Sequence, residues 1–158
     1  MRFFEDSKYY SLKKSTYINL RWIGIIGQLI SVYLVHFYFG FKFDFFLTNL
    51  AIFFGVLSNL YLIFIYKKTQ LSDRLALLFL LFDIIQLTVL IYLTGGAKNP
   101  FIIFIIIPSI FASTNLGLKT NLLIVLITCI MIIFLTFYAS ELPYPLADHF
   151  HISDYIYY

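Results

Sequence analysis

The sequence predicts an all-α membrane protein, a polytopic helical bundle. Of its 158 residues, 61% are hydrophobic and only 12% are charged, about half the charged share of a soluble domain. The mean hydropathy is +0.91. The apolar residues fall into five runs, each long enough or nearly long enough to cross about 30 Å of hydrocarbon. Because lipid satisfies no backbone polar groups, such runs must be helical.

The five apolar runs are predicted membrane spans of one transmembrane domain, residues 18–138. The fourth is the shortest, because about 16 residues of α-helix cover only about 24 Å. It contains Pro108, and we favour a kinked span over a re-entrant segment since neighbouring helices can satisfy the carbonyl that proline releases. Residues 1–17 are predicted to form a cytoplasmic arm. The spans are expected at about 19–39, 45–66, 75–94, 101–116 and 122–138.

Lysine and arginine predict the orientation, since cytoplasmic loops carry their excess. With the N-terminus in the cytoplasm, nine of the eleven basic residues lie inside, and only Lys42 and Lys98 lie outside. The tail 139–158 is then on the outer face. Because the tail ends in an aromatic run suited to an interface, we expect a sixth span to follow it.

Residues 93–101, LTGGAKNPF, form the most conspicuous break between spans. Gly95 and Gly96 permit positive φ and let another molecule approach the backbone closely. Pro100 fixes its own φ and pushes Asn99 out of the helical region. This stretch is therefore predicted to be a bent loop, whose freed backbone groups must meet water, protein or a polar ligand.

Asp83 is predicted to lie near the middle of the bilayer, where a carboxylate costs about 2.5 to 3.5 kcal/mol on insertion scales. Gln86 follows on the same helical face. Asp83 is either a ligand-sensing or proton-linked group, or a packing residue. At 1.5 Å per residue it lies about 20 Å from Gly96, so one small head group cannot touch both. As a packing residue, its partner would be Gln28, Asn49, Ser58 or Asn59.

The first span begins with Arg21 and Trp22, which are typical of a cationic and aromatic interfacial anchor. Gln28 shares a face with Gly24, and this face is expected to pack against a neighbour because glycine permits close helix approach. Cys129 is the only cysteine, so no intrachain disulfide forms. His149 and His151 in the tail are too weak a signal for a metal site.

Several spaced motifs resemble the RegB/PrrB family of redox-sensing membrane histidine kinases. The loop GGAKNPF matches that family's GGxxNPF heptapeptide, and Leu20-Arg21-Trp22 with Gly27-Gln28 resembles its first-span pattern. Further agreement comes from the third and fourth spans. The matching residues there are Asp83, Gln86, Leu87, Tyr92, Leu93, Thr94 and Pro108.

This resemblance implies a six-span sensor domain in the bacterial inner membrane, followed by a dimerisation helix pair and an ATP-binding kinase domain. It implies ubiquinone or a related quinone as the sensed ligand, a homodimer, and a response regulator served by the kinase domain. ATP would bind only in that kinase domain, whose motifs these 158 residues lack. The quinone site would comprise Gly95, Gly96, Asn99, Pro100 and Phe101, with Asp83, Gln86, Arg21, Trp22 and Gln28 in support.

The leading hypothesis is thus a quinone-responsive sensor domain without catalytic residues of its own. An alternative is a small proton-coupled transporter or permease component, with Asp83 as the coupled site and Pro108 as a gate. A third is a structural or assembly protein in which the loop only shapes a turn. No basic segment suits nucleic acid.

Overall fold

The computed structural model describes residues 12–138, which form five α-helices. Two short strands, β1 (Leu12–Lys13) and β2 (Gln70–Leu71), pair antiparallel. A π-helical turn, Leu34–Tyr38, extends the first helix, and two 3₁₀ helices, Gly96–Lys98 and Pro100–Ile106, precede the fourth. The α-helices are α1 (Lys14–Tyr33), α2 (Phe45–Phe64), α3 (Asp73–Leu93), α4 (Ile107–Asn115) and α5 (Leu118–Phe137).

Four helical segments are long and apolar enough to cross a membrane, and Pro100–Asn115 forms a shorter apolar one. Large apolar side chains such as Phe46, Leu78 and Phe137 are exposed on the outer faces of the helices, as lipid contact requires. The all-α membrane class is confirmed. The count of spans and the orientation stay predictions. The four long segments are Lys14–Tyr38, Phe45–Phe64, Asp73–Leu93 and Leu118–Phe137.

The first helix begins at Lys14, five residues before the predicted start of the span. The Lys14 ammonium donates hydrogen bonds to the carbonyl oxygens of Ile63, at 3.2 Å, and Tyr66. The Ile63 carbonyl belongs to the last turn of α2 and Tyr66 follows just after the helix, where a cation also complements the helix dipole. A charged residue can therefore begin the helix, and residues 14–17 of the predicted arm are part of α1.

The segment from Pro100 to Asn115 is longer than an α-helix of equal residue number. Seven 3₁₀ residues at about 2.0 Å and nine α residues at 1.5 Å give about 28 Å, close to the hydrocarbon thickness. Pro108 lies in the first turn of α4, and the Ile107 N–H donates to the Phe104 carbonyl. Pro108 has no N–H to donate to the Phe104 carbonyl four residues earlier. The Ile107 N–H replaces it, so the carbonyl is satisfied within its own helix and not by a neighbouring helix as we expected.

The two ends of the bundle differ in charge. We call one the basic end; it holds β1, β2, the start of α1 and the end of α2. The loop end holds residues 94–99, with Lys42 and Lys98. This asymmetry is the one on which the predicted orientation depends. The basic end carries Lys13, Lys14, Lys67, Lys68, Arg74 and Lys119.

The packing order of the helices leaves an opening. α1 packs on α2, α2 on α3, α3 on α5, and α5 on α4. α1 and α4 are not among these packed pairs, although the rings of Tyr17 and Phe111 stack near the basic end with centroids 5.7 Å apart. A groove lined by residues of both helices lies between them over α3.

Candidate functional site

The groove encloses a cavity of about 840 Å³, within the range of small-molecule sites. Gly24 and Gly27 of α1 line one wall, and Phe101, Phe104 and Phe111 line the other. Residues of α3 form its floor. An apolar slot of this size, with a few polar groups, is the usual form of a ligand site in a membrane helix bundle.

The glycines of the loop determine its path. Gly95 has φ 118° and Gly96 has φ 57°, and L-residues with a side chain rarely adopt such values. Both glycines are buried, and neither lines the cavity. Their role in this structure is to turn the chain from α3 towards Pro100.

Asn99 shapes the same loop from its other end. Its side-chain Nδ2 donates to the Thr94 carbonyl at 3.2 Å and to Thr94 Oγ1 at 2.7 Å, while its Oδ1 accepts from the Phe101 N–H at 2.9 Å. The side chain lines the cavity but is only 8% exposed. Both amide protons of Asn99 are therefore committed to the loop.

Pro100 and Phe101 carry the loop into the wall of the cavity. The Phe101 ring is half-buried and stacks on Phe104 at a centroid distance of 5.7 Å and an interplanar angle of 24°. The pair presents aromatic surface to whatever occupies the groove.

Arg21 and Asp83 form an ion pair at the floor of the groove. Arg21 Nη2 and Nε lie 2.7 and 3.0 Å from Asp83 Oδ1, and the Tyr17 hydroxyl donates to Asp83 Oδ2 at 2.6 Å. Arg21 Nη2 also donates to Ser58 Oγ at 3.0 Å. The side chains are 5% and 17% exposed. The carboxylate of Asp83 joins α3 to α1, and the Arg21 guanidinium extends the network to α2.

The interfacial-anchor interpretation of Arg21 is wrong, and so are the four partners considered for Asp83. Because α1 begins at Lys14, Arg21 lies seven residues, or about 10 Å, inside the helix. Asp83 lies ten residues into α3, about 15 Å from its start. Opposite charges at comparable depths in two apolar helices are a signal that could have identified the pair, because an isolated charge is costly there.

Gln28 and Gln86 form a second polar link between α1 and α3. Gln86 Nε2 donates to Gln28 Oε1 at 2.8 Å, and Gln28 Nε2 lies 3.4 Å from Gln86 Oε1. Each amide carries two N–H donors, and the reciprocal pair uses one from each. Both side chains line the cavity.

The face of α1 that holds Gly24 and Gln28 packs only in part as expected, because Gln28 bonds Gln86 of α3 but no close helix approach occurs at Gly24. A Cβ added at Gly24 or Gly27 would meet no described atom within 4 Å, and both residues border the cavity. Close approach occurs instead at Gly55 of α2, where an added Cβ would lie 3.6 Å from the Gln86 amide. The absence of side chains at Gly24 and Gly27 widens the groove.

Seven of the ten predicted site residues line this one cavity, while Gly95, Gly96 and Trp22 do not. Trp22 packs with Phe43, Phe45 and other apolar residues against a core cluster of α1 and α2. The seven are Arg21, Gln28, Asp83, Gln86, Asn99, Pro100 and Phe101. The lining residues absent from the prediction include the polar or aromatic side chains of Tyr17, Thr94, Phe104 and Phe111.

Among residues 12–138, no group of three or more His, Cys, Asp or Glu side chains could hold a metal ion. His149 and His151 lie outside the described residues. Cys129 is exposed on α5 and does not line the cavity. The lining of the cavity offers hydrogen-bonding groups, one ion pair and aromatic faces.

Comparison with known proteins agrees with the helical membrane architecture. Residues 5–157 match the family model of the PilS-like transmembrane domain, a six-span domain. The sensor histidine kinase RegB of Cereibacter sphaeroides is 35% identical over 140 residues, which cover 87% of this chain and 30% of that relative. This match confirms the resemblance inferred from the motifs. No solved structure matches the chain. The chain is thus a multi-pass membrane protein that belongs to the PilS-like transmembrane domain family.

Proposed function

We propose that the chain is the transmembrane sensor domain of a histidine kinase related to RegB, and that it binds membrane quinone in the groove between α1 and α4. The bound quinone regulates autophosphorylation of a kinase domain, and through it a response regulator, in a homodimeric protein of the bacterial inner membrane. The single observation that carries the proposal is the cavity of about 840 Å³, which joins the loop to the polar floor. The family membership does not favour the transporter alternative.

The cavity has the features that a quinone needs. A quinone combines a flat ring, two carbonyl acceptors and, in ubiquinone, a long apolar tail. Phe101 and Phe104 offer aromatic faces for the ring. Ile23 and Ile107, which line the cavity on opposite walls, are 69% and 44% exposed. The groove is therefore open along its length, so the tail can leave between α1 and α4 into lipid.

The glutamine pair is better placed than Asn99 to bind a quinone carbonyl. Both amide protons of Asn99 are used within the loop, whereas Gln28 and Gln86 each keep a second N–H beyond their mutual hydrogen bonds. We therefore assign carbonyl recognition to Gln28 and Gln86. Asn99 contributes by holding Phe101 and Pro100 in the cavity wall.

Sensing requires that quinone and quinol favour different arrangements of the helices, since a ligand with equal affinity for two states shifts neither. The oxidised ring only accepts hydrogen bonds, whereas the reduced ring also donates them. The floor of the groove contains both amide donors and the Asp83 carboxylate. Reduction of the ligand would thus change its preferred partners on α3, next to the ion pair that joins α3 to α1.

Quinone binding can be measured with the purified chain in nanodiscs. Trp22 is the only tryptophan and lies on α1 next to the groove, so its fluorescence quenching by a short-chain ubiquinone reports binding. Gly24→Leu places a side chain in the open groove and should weaken binding at least about tenfold. Cys129→Leu adds a similar side chain on an exposed face of α5 and should leave binding unchanged.

Asn99→Ala and Phe101→Ala should also weaken binding while the domain still inserts. Gln28→Leu combined with Gln86→Leu tests the assigned donors without leaving one amide unpaired. Equal affinity in wild type and Gly24→Leu would show that the groove is not the site. An absence of saturable binding by wild type, with helical circular dichroism, would overturn the quinone assignment altogether.

Regulation is tested separately in a complete kinase. The 140 matched residues of RegB can be replaced by the corresponding residues of this chain, and autophosphorylation measured with oxidised and with reduced quinone. We expect the two rates to differ, and the difference to disappear in the Gly24→Leu chimera. Equal rates in the wild-type chimera would refute the regulatory part of the proposal and leave binding untouched.

A further inference from the structure

A second, smaller cavity of about 240 Å³ lies at the basic end of the bundle. It lies between the first turn of α1 and the segment that joins α2 to β2. None of its lining residues also lines the groove. Its walls combine three lysines, two hydroxyl side chains and one apolar residue. These are Lys14, Lys67, Lys68, Ser15, Thr69 and Ile18.

The beginning of α1 adds backbone donors to this cavity. The first residues of a helix have N–H groups without intrahelical partners, and the helix dipole gives them positive character. The Lys14 N–H is used, since it donates to the Thr69 carbonyl at 3.0 Å. The side chain of the N-cap residue Lys13 makes no capping hydrogen bond within the described part of the chain, and the first turn of α1 contains no acidic residue. Such a terminus is suited to an anion.

The lysines provide charge in excess of their described partners. Lys67 and Lys68 are exposed, and the ion pair found among residues 12–138 joins Arg21 to Asp83 and not these lysines. The Lys14 ammonium has three protons and gives two of them to the carbonyls of Ile63 and Tyr66. One cation is therefore held in place, with two exposed cations beside it.

We propose that this cavity binds the phosphate group of an anionic phospholipid from the cytoplasmic leaflet. Phosphate chemistry follows from the lysines, the hydroxyl groups and the uncapped helix start. The lipid is favoured over a soluble phosphate by position, because the cavity lies where the apolar segments Lys14–Tyr38 and Phe45–Phe64 reach the basic end. Basic pockets between membrane helices on the cytoplasmic side are suited to such head groups.

The apolar neighbours of the cavity can accommodate the acyl chains. Ile18 lines the cavity one turn beyond Lys14, and Phe64 and Ile65 at the end of α2 are 75% and 62% exposed. A lipid whose phosphate sits among the lysines would thus have apolar protein surface directly beneath its head group. A soluble phosphate would gain nothing from that surface.

The site is tested by titrating the purified chain in detergent with phosphatidylglycerol and, in parallel, with phosphatidylcholine, and counting bound lipids by native mass spectrometry. Wild type should retain one phosphatidylglycerol at least about tenfold more tightly than phosphatidylcholine. The double variant Lys67→Gln/Lys68→Gln should lose roughly thirtyfold in phosphatidylglycerol affinity, because it removes the attraction of two lysines to an anionic head group. Arg74→Gln/Lys119→Gln is the matched control, because it removes two exposed charges from the same end outside the cavity.

Two outcomes would overturn the proposal. An equal loss of affinity in both double variants would mean that lipid is attracted by the diffuse charge of this face and not by the cavity. Displacement of phosphatidylglycerol by an equal concentration of inorganic phosphate would identify a soluble phosphate site instead. The variant Ser15→Ala/Thr69→Ala keeps every charge but removes both hydroxyl groups from the cavity. It should also weaken phosphatidylglycerol binding, because these hydroxyl groups would donate hydrogen bonds to the phosphate.

Discussion

Replacing Asp83 by leucine should destabilise the helix bundle by about 3 to 5 kcal/mol, because it leaves the Arg21 guanidinium buried without a counter-ion. The Arg21 side chain is 5% exposed, and both of its nitrogens that contact Asp83 bond the same oxygen, at 2.7 and 3.0 Å. Arg21 Nη1 is buried without a hydrogen-bond partner among the described residues. The other described acceptor of Arg21, Ser58 Oγ, is a neutral hydroxyl and cannot replace the charge of the carboxylate.

A double-mutant cycle isolates the pair itself. Arg21→Met should lower the free energy of unfolding by about 3 to 5 kcal/mol as well, because it leaves the Asp83 carboxylate buried without a cation. The combination Arg21→Met/Asp83→Leu removes both charges and should lie within about 2 kcal/mol of wild type, since apolar replacement of a complete buried pair is often neutral. The coupling energy from the cycle should then be about 3 kcal/mol or more.

The free energy of unfolding can be measured by reversible denaturation in lipid–detergent bicelles. Ser109→Ala is the control, because it removes a neutral buried hydrogen bond, 2.7 Å long, to Thr128 and should cost only about 1 kcal/mol. If Asp83→Leu costs no more than Ser109→Ala, the carboxylate is not a buried partner of Arg21. If the two single losses simply add in the double variant, the ion pair is not the link between α1 and α3.

Three further predictions use the same unfolding measurement. Gly95→Ala should destabilise the bundle by about 1 to 3 kcal/mol, because φ is 118° at this position. Gly24→Ala is the control: a Cβ there meets open space, so the change should be neutral or stabilise the bundle by up to about 1 kcal/mol. Equal effects of the two variants would contradict the loop geometry. Lys14→Met should lower the free energy of unfolding by about 1 to 3 kcal/mol, because it removes two charge-assisted hydrogen bonds to the carbonyls of Ile63 and Tyr66. An unchanged stability would show that these bonds are not maintained in lipid. Asn99→Ala should lower the free energy of unfolding by about 1 to 3 kcal/mol, because it removes the hydrogen bonds to Thr94 and Phe101. Asn99→Asp keeps the oxygen that accepts from the Phe101 N–H and should therefore lose less stability than Asn99→Ala.

The sequence alone determined the membrane class, the approximate helices and the position of the bent loop. These properties depend on local composition, because lipid requires apolar side chains and internally bonded backbone over a fixed length. Gly95 and Gly96 indicated the turn through their own conformational freedom. The spaced motifs also identified the family, because they preserve residue types at characteristic distances along the chain.

Only the tertiary structure decided how the polar residues are used. Arg21 and Asp83 are 62 residues apart in sequence, and their pairing depends on the rotation and depth of two helices, which hydropathy does not specify. The same holds for Gln28 with Gln86 and for the inward direction of the Asn99 amide. The groove itself exists because α1 and α4 both lie over α3 without packing closely on each other. Packing between distant segments, and not the preference of any single residue, therefore produced the candidate site.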